Sequence, residues 1–145
     1  MTFRICIDSR EQTPWAFRCE TVRKALPAGD YSVEGIETKI AVERKSLTDF
    51  VHTVIHDRER FGRELLLLST YDAACVVVEA DLDAMLRGLR HDDLWGASPA
   101  SVLGASLQVT VNYRVPVFWC GSRQAARAFT EGFLRMNVRK GAVHV

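Results

Sequence analysis

Val42-Glu43-Arg44-Lys45-Ser46-Leu47-Thr48-Asp49 is the stretch on which the reading of this chain turns. Its first half reads as a strand. Side chains alternate along a strand, so Glu43 and Lys45 share one face and Arg44 points to the other. Its second half opens a helix: Ser46, with Asp49 three residues on, matches a capping box. Phe50, Val51, Val54 and Ile55 then form the apolar side of that helix. Upstream, Ala28-Gly29-Asp30 reads as a tight turn and Tyr31-Ser32-Val33 as a strand that pairs with 39–45 in a hairpin. Asp30 ends the turn before the partner strand and is placed to face Glu43.

Working outward, Ile5-Cys6-Ile7 is a short apolar run ending at Asp8, consistent with a buried strand, and Thr13-Pro14 breaks the chain after it. Asp57 is a cap candidate for a second helix, in which Phe61, Leu65 and Leu68 recur on one face. The run 74–78 is continuously apolar and predicts a strand buried on both faces. A short helix over 81–89, a loop over 91–98 and a helix over 99–112 follow, the last weakened by Val109-Thr110-Val111. The segment 115–119 reads as another buried strand. An amphipathic helix over 122–136 closes the chain, with Phe129, Phe133 and Met136 predicted inward. Strands followed by helix-strand-helix alternation predict an α/β domain: a central mixed sheet of about five strands flanked by helices, with 1–145 as a single domain.

The bulk properties exclude more than they assign. The 145 residues are 48% apolar and 26% charged, an ordinary globular composition. Cys6, Cys19, Cys75 and Cys120 are far apart with no C-x-x-C pair, which argues against a zinc knuckle and for a reducing compartment. Cys6, Cys75 and Cys120 sit in apolar runs and read as buried. Met1-Thr2-Phe3-Arg4-Ile5 has no long apolar stretch, so no signal peptide is expected, and no run approaches the roughly 20 residues of a membrane helix. Net charge is +1, which by itself makes no case for a nucleic-acid partner. The first 64 residues hold eleven of the nineteen Lys and Arg and eleven of the acids. If several of those acids held a metal, that half would become locally basic.

An acid and a lysine two residues apart on one strand face, plus an upstream aspartate, are the minimum for metal-dependent phosphodiester hydrolysis. Carboxylates offer the hard oxygens that Mg²⁺ requires. The ion polarises the phosphate and acidifies a water, while the lysine orients that water or neutralises the phosphate. The alternative for Glu43-Arg44-Lys45 alone is a charge pair on an exposed strand.

Three separated pieces lift the first reading above the second: Ile7-Asp8-Ser9-Arg10-Glu11, Gly29-Asp30-Tyr31, and Val42 to Asp49. Together they resemble the signature of XPF-family nucleases, which runs G-D, a spacer, E-R-K, three residues and D, preceded by a strand ending in D-x-R-E. Arg58-Glu59-Arg60-Phe61, Val76-Val77-Val78-Glu79 and the segment from Ser98-Pro99 to Trp119 extend the likeness over nearly the whole chain. The resemblance implies a restriction-endonuclease-like three-layer fold, Mg²⁺ or Mn²⁺, and cleavage of DNA near flaps, forks or other branch points in repair or recombination. It implies Asp8, Asp30 and Glu43 as metal ligands and Lys45 as the catalytic lysine. Arg10 and Arg44 correspond to active-site arginines that contact phosphate or brace the carboxylates.

Several residues keep two readings. Asp49 matches the last motif aspartate but also serves the helix N-terminus. Glu11 belongs to the site or pairs with Arg10. Glu79 is a distant ligand or a support for Lys45, and Tyr31 reads as packing rather than base stacking. Arg58 and Arg60 are expected to grip DNA phosphates or to lie idle on an exposed helix. His52 and His56 have a spacing that can bind zinc but lack a third ligand, so they read as surface or packing histidines. His91-Asp92-Asp93 reads as a solvated loop. Many family members continue into a tandem helix-hairpin-helix module, which is not expected here. Substrate choice therefore leaves three arrangements open: action alone, a homodimer through the last strand and helix, or a separate DNA-binding partner. An intracellular location is expected, cytoplasmic and nucleoid-associated if the source is prokaryotic. The rival function is a catalytically silent DNA-binding or scaffold module that supports a partner nuclease.

Overall fold

A computed structural model describes the backbone of residues 3–143 and the side chains of residues 3–140. Its strands are β1 (Ile5–Asp8), β2 (Thr21–Lys24), β3 (Tyr31–Val33), β4 (Ile40–Lys45), β5 (Ala73–Val78) and β6 (Val117–Trp119). Its helices are α1 (Leu47–His56), α2 (Arg58–Leu68), α3 (Leu82–Leu86), α4 (Pro99–Tyr113) and α5 (Arg123–Val143), with a 3-10 turn at His91–Leu94. The strands form one mixed sheet in the order β2-β1-β3-β4-β5-β6. Only β3 runs against the rest, pairing antiparallel with β1 and β4. The carboxyl ends of β1, β4, β5 and β6 therefore share one edge, where open α/β sheets place their ligands.

Two cores lie on the two faces of the sheet. Ala41, Val76 and Val78 pack against Leu47, Phe50, Leu65, Leu68, Met85 and Val102 from α1 to α4. Ile5, Ile7, Val42, Cys75 and Val77 pack against Trp15 and against Ala126 and Leu134 of α5. The result is three layers, with β5 covered on both sides as its unbroken apolar run requires. Ser46 caps α1 by accepting the Asp49 N–H at 3.2 Å, and Ser98 caps α4 with Pro99 at the first helical turn. No helix among the described residues is long and apolar enough to cross a membrane.

The sheet has one strand more than expected. β2 carries Thr-Val-Arg-Lys, largely exposed, and lies at the sheet edge, so no apolar pattern announces it. The closing helix runs on to Val143, and its Met136 is 63% exposed rather than inward, unlike Phe129 and Phe133. Ile55, expected on the apolar side of α1, is also exposed, and Leu47 takes its place in the core. Cys6 and Cys75 are buried as expected, Cys120 only partly, and all four cysteines are free thiols.

Gly29 is the hinge of the site-bearing hairpin. Its φ is +77°, and a Cβ there would stand 3.0 Å from Ala41 Cβ and 3.1 Å from the Val42 carbonyl oxygen. Only glycine combines that left-handed backbone with so close an approach. Gly29→Ala should lower unfolding free energy by about 2 kcal/mol. Urea denaturation measures this, and a loss below roughly 0.5 kcal/mol, the size of an ordinary surface change, would show that the turn tolerates a side chain.

Candidate active site

The pleat of β4 sends Glu43 and Lys45 towards α1 and α2, and Arg44 to the opposite face with Val42. On the first side lies a cleft of about 700 Å³, open to solvent, lined by Asp8, Arg10, Glu11, Asp30, Glu43, Lys45, Asp49, Arg60, Arg63 and Glu64 among others. The turn before β3 delivers Asp30 by two bonds to β4: the Asp30 N–H donates to the Val42 carbonyl at 2.8 Å, and the Arg44 N–H donates to Asp30 Oδ2 at 2.7 Å. Asp30 and Glu43 thus meet as the alternation along β4 requires.

Glu43 is 4% exposed. Burial raises its pKa well above 4.5, and the neighbouring carboxyls of Asp30 and Glu64 raise it further. Burial also raises the pKa of Asp30, against the opposing pull of its bonds to Glu43 and the Arg44 N–H. The cation nearest at hand is Lys45, whose Nζ stands 3.8 Å from Glu43 Oε2 and 3.5 Å from Thr53 Oγ1, over the Phe61 ring. Glu64, on α2, did not stand out in the sequence. A lone glutamate on a charged helical face carries no local mark of what it meets across the fold.

Asp8 lines the same cleft, but its oxygens are engaged. Oδ1 accepts the Leu26 N–H at 2.9 Å and Oδ2 accepts Arg10 Nε at 2.9 Å. Burial pushes its pKa up, yet Arg10 and the Leu26 N–H outweigh that and hold it below 3.8. The carboxylate so pins the crossover from β2 to the turn that carries Asp30. Arg10 is 75% exposed at the cleft mouth and keeps donors free for solvent or a ligand.

Arg44 is not in the cleft. Its guanidinium is 13% exposed, donates from Nε to Glu79 Oε1 at 2.5 Å, reaches Glu11 Oε1 and Thr13 Oγ1 at 3.3 Å each, and lies over the Trp15 ring. It pairs with Glu11 and Glu79 and does not line the cleft. Glu11 pairs with Arg44 rather than Arg10. Glu79 supports Arg44 and Trp15, whose Nε1 donates to it at 2.6 Å, rather than Lys45. Tyr31 is packing: it is buried, stacks on Trp15 and accepts the Trp15 N–H at 3.1 Å.

Asp49 lies in the first turn of α1 and on the cleft wall. Arg60 reaches the cleft rim, as does Arg63, which the sequence did not single out. Arg58 instead borders a groove between α2 and α4. His52 and His56 pack their rings against Trp95. Asp93 is tied to Arg90 and Thr48, not merely solvated.

Among the described residues, no three His, Cys, Asp or Glu side chains already stand as a metal cage. The donor set still fits a hard divalent cation. Asp30, Glu43 and Glu64 bring only carboxyl oxygens, and their mutual repulsion is what a cation would relieve. Glu11 Oε2 at the cleft's edge is buried with no hydrogen-bond partner.

The ERCC4 domain family model matches residues 7–133. No curated protein sequence matches the chain. Among solved structures, XPF from Aeropyrum pernix superposes with a TM-score of 0.74 at 21% identity, over 96% of this chain and 63% of that one. XPF from Aeropyrum pernix in complex with DNA gives 0.71 at 21% identity, over 95% and 66%. The chain thus spans just under two thirds of either solved relative and shares their fold.

Two outcomes test this geometry. Arg44→Ala leaves Glu79 and Glu11 buried without their cation, and should cost about 3–5 kcal/mol of stability in urea titrations. A loss under about 1 kcal/mol would mean that the cluster on that face is not held by charge. The second outcome concerns pH in chelator. Asp30 and Glu43 keep protons in the folded state that the unfolded chain releases near 3.8 and 4.5. Stability should therefore fall as pH rises above 4.5 through their raised values, and Glu43→Gln should flatten that fall. Asp8 and Glu37, the latter held at about 2 by Lys24, stabilise above their unfolded values and lose that only as pH drops below them. The two windows separate in melting curves, and a rise in stability above pH 4.5 would contradict the assignment.

Proposed function

This chain belongs to the ERCC4 domain family, a nuclease-type DNA-processing domain, and on that premise we propose that it is a divalent-metal-dependent DNA endonuclease. Its substrate is DNA with a flap, fork or other branch. The observation that carries this reading is the meeting of Asp30, Glu43 and Lys45 in one cleft, with both carboxyls pushed towards protonation by burial.

Asp30 and Glu43 would hold Mg²⁺ or Mn²⁺, which supplies Lewis acidity towards the phosphate and a lower pKa for an attacking water. The chain's own part is positioning and charge. Lys45 is braced by Thr53 and the Phe61 ring, so its ammonium is presented to the reacting phosphate from a fixed place. It neutralises developing charge on the phosphoryl oxygens or orients the water. Arg10, Arg60 and Arg63 at the mouth meet the neighbouring phosphates. Asp8 and Arg44 act on the site through others: Asp8 holds the crossover that carries Asp30, and Arg44 fixes Glu11. In-line attack by water leaves a 5′-phosphate and a 3′-hydroxyl.

Labelled flap, fork, four-way junction and plain duplex, each with Mg²⁺ or chelator, form the test. The parent should cut a branched substrate with Mg²⁺ and not in chelator. Asp30→Asn and Lys45→Ala should each lower cutting by at least 100-fold, on the order of what one transition-state charge contributes, while branched-DNA binding persists. Cutting at the parental rate by either variant would remove that residue from the site. Binding of branched DNA without cutting under either ion would favour the silent module instead.

A further inference from the structure

We propose that Glu64 of α2 is the third carboxylate ligand of the divalent ion in this cleft, in the place that sequence pattern assigned to Asp8. This rests on the metal-dependent reading above. α2 buries Phe61, Leu65 and Leu68 and turns Arg60, Arg63, Glu64 and Leu67 to the cleft. Those four fall at i, i+3, i+4 and i+7, one helical stripe. Glu64 is the only acid in that stripe, and it lines the same cleft as Glu43 and Asp30.

Glu43 has surroundings that suit a cation. It is 4% exposed, and among the described residues no N–H or hydroxyl of the protein hydrogen-bonds its carboxyl. Lys45 stands at 3.8 Å, beyond hydrogen-bond distance. A buried carboxylate flanked by two others, with no donor, is the electrostatic opposite of a stable ion pair, and a divalent cation between them removes the conflict. Asp8 lacks that need. Arg10 and the Leu26 N–H already satisfy both of its oxygens. Glu64 hangs from a different element than Asp30 and Glu43, so an ion bound by all three would tie α2 to the sheet edge.

The experiment is Mn²⁺ binding to the full chain, read by the loss of free-ion EPR signal, together with melting in chelator at pH 8. Glu64→Gln should weaken Mn²⁺ affinity by about ten-fold or more. The same variant should raise the melting temperature in chelator, because it takes a carboxylate away from Glu43. A residue with a merely structural role would lower both or leave both unmoved. Asp8→Asn should weaken Mn²⁺ less than Glu64→Gln does and lower the melting temperature. Asp30→Asn is the control on the site. If Glu64→Gln binds Mn²⁺ like the parent while Asp30→Asn does not, Glu64 is no ligand and the cleft reading survives. If Asp30→Asn also binds like the parent, or the parent binds none, the metal reading falls and the assignment of Glu64 falls with it.

Discussion

The pleat of β4 separates two charge systems that sit back to back across a single strand. Glu43 and Lys45 go to the α1–α2 face, Arg44 to the α5 face. The two systems are built on opposite principles. Arg44 meets Glu79, Glu11, Thr13 and the Trp15 ring, so a buried guanidinium is matched on nearly every side. Glu43 meets carboxyls on two sides and one lysine beyond hydrogen-bond distance. A slip of one residue in the β4 register would exchange these surroundings and leave both groups in the wrong place. The parallel pairing of β4 with the apolar β5, from Ile40↔Ala73 to Lys45↔Val78, is what forbids the slip.

The unmatched side is where chemistry is expected, because a fold gains nothing in stability from crowding carboxyls around a buried one. The cost is carried by the cores above and below. Val76 and Val78 seal one face and Val77 and Cys75 the other, all without solvent exposure. The Arg44 cluster adds rigidity behind the strand, tying the loop of Glu11 to Trp15 onto β4, and Arg123 of α5 approaches Glu79 as well. A site whose groups repel one another keeps its shape only when the backbone beneath cannot move. Two hydrogen bonds between Asp30 and β4, one donated from each side, and the close approach at Gly29 supply that restraint.

Much of this was legible in the chain because it is local. The opposed faces of Glu43 and Arg44 follow from strand alternation, and the turn that presents Asp30 follows from Gly29 and the strands around it. The capping serine, the helical face of Phe61, Leu65 and Leu68, and the doubly buried β5 follow from period and composition alone. What stayed hidden depends on distant partners. β2 is polar and exposed, so its pairing to β1 has no imprint in its own residues. Glu11 and Glu79 lie 33 and 35 residues from Arg44, and nothing near either announces the other. Asp8 fits the family pattern by sequence, but its saturation by a crossover backbone N–H is a product of the folded path. Glu64 looks like any solvated helical acid until α2 is laid against the sheet edge.

The charge of the cleft also orders its events under the proposed reading. Seven carboxyl side chains and four cationic ones line it, in a protein whose net charge is only +1. Glu43 and Asp8 lie buried at the floor, and the arginines, Arg10 and Arg60 foremost, stand at the rim, where they remain largely exposed. A DNA backbone approaching that rim finds attraction within a few ångströms and repulsion just below it. Both act within a Debye length of about 8 Å at physiological salt, so neither is screened away. Protonation of Asp30 and Glu43 softens the repulsion but leaves the carboxyls unable to bind a cation, whereas a divalent ion cancels it and keeps them ionised. With an ion there, the rim arginines and Lys45 would face a phosphate with less opposing charge beneath them. On the proposed reading the ion would serve the seating of the strand as well as its cleavage, because the carboxyls that would hold it otherwise repel a phosphate backbone.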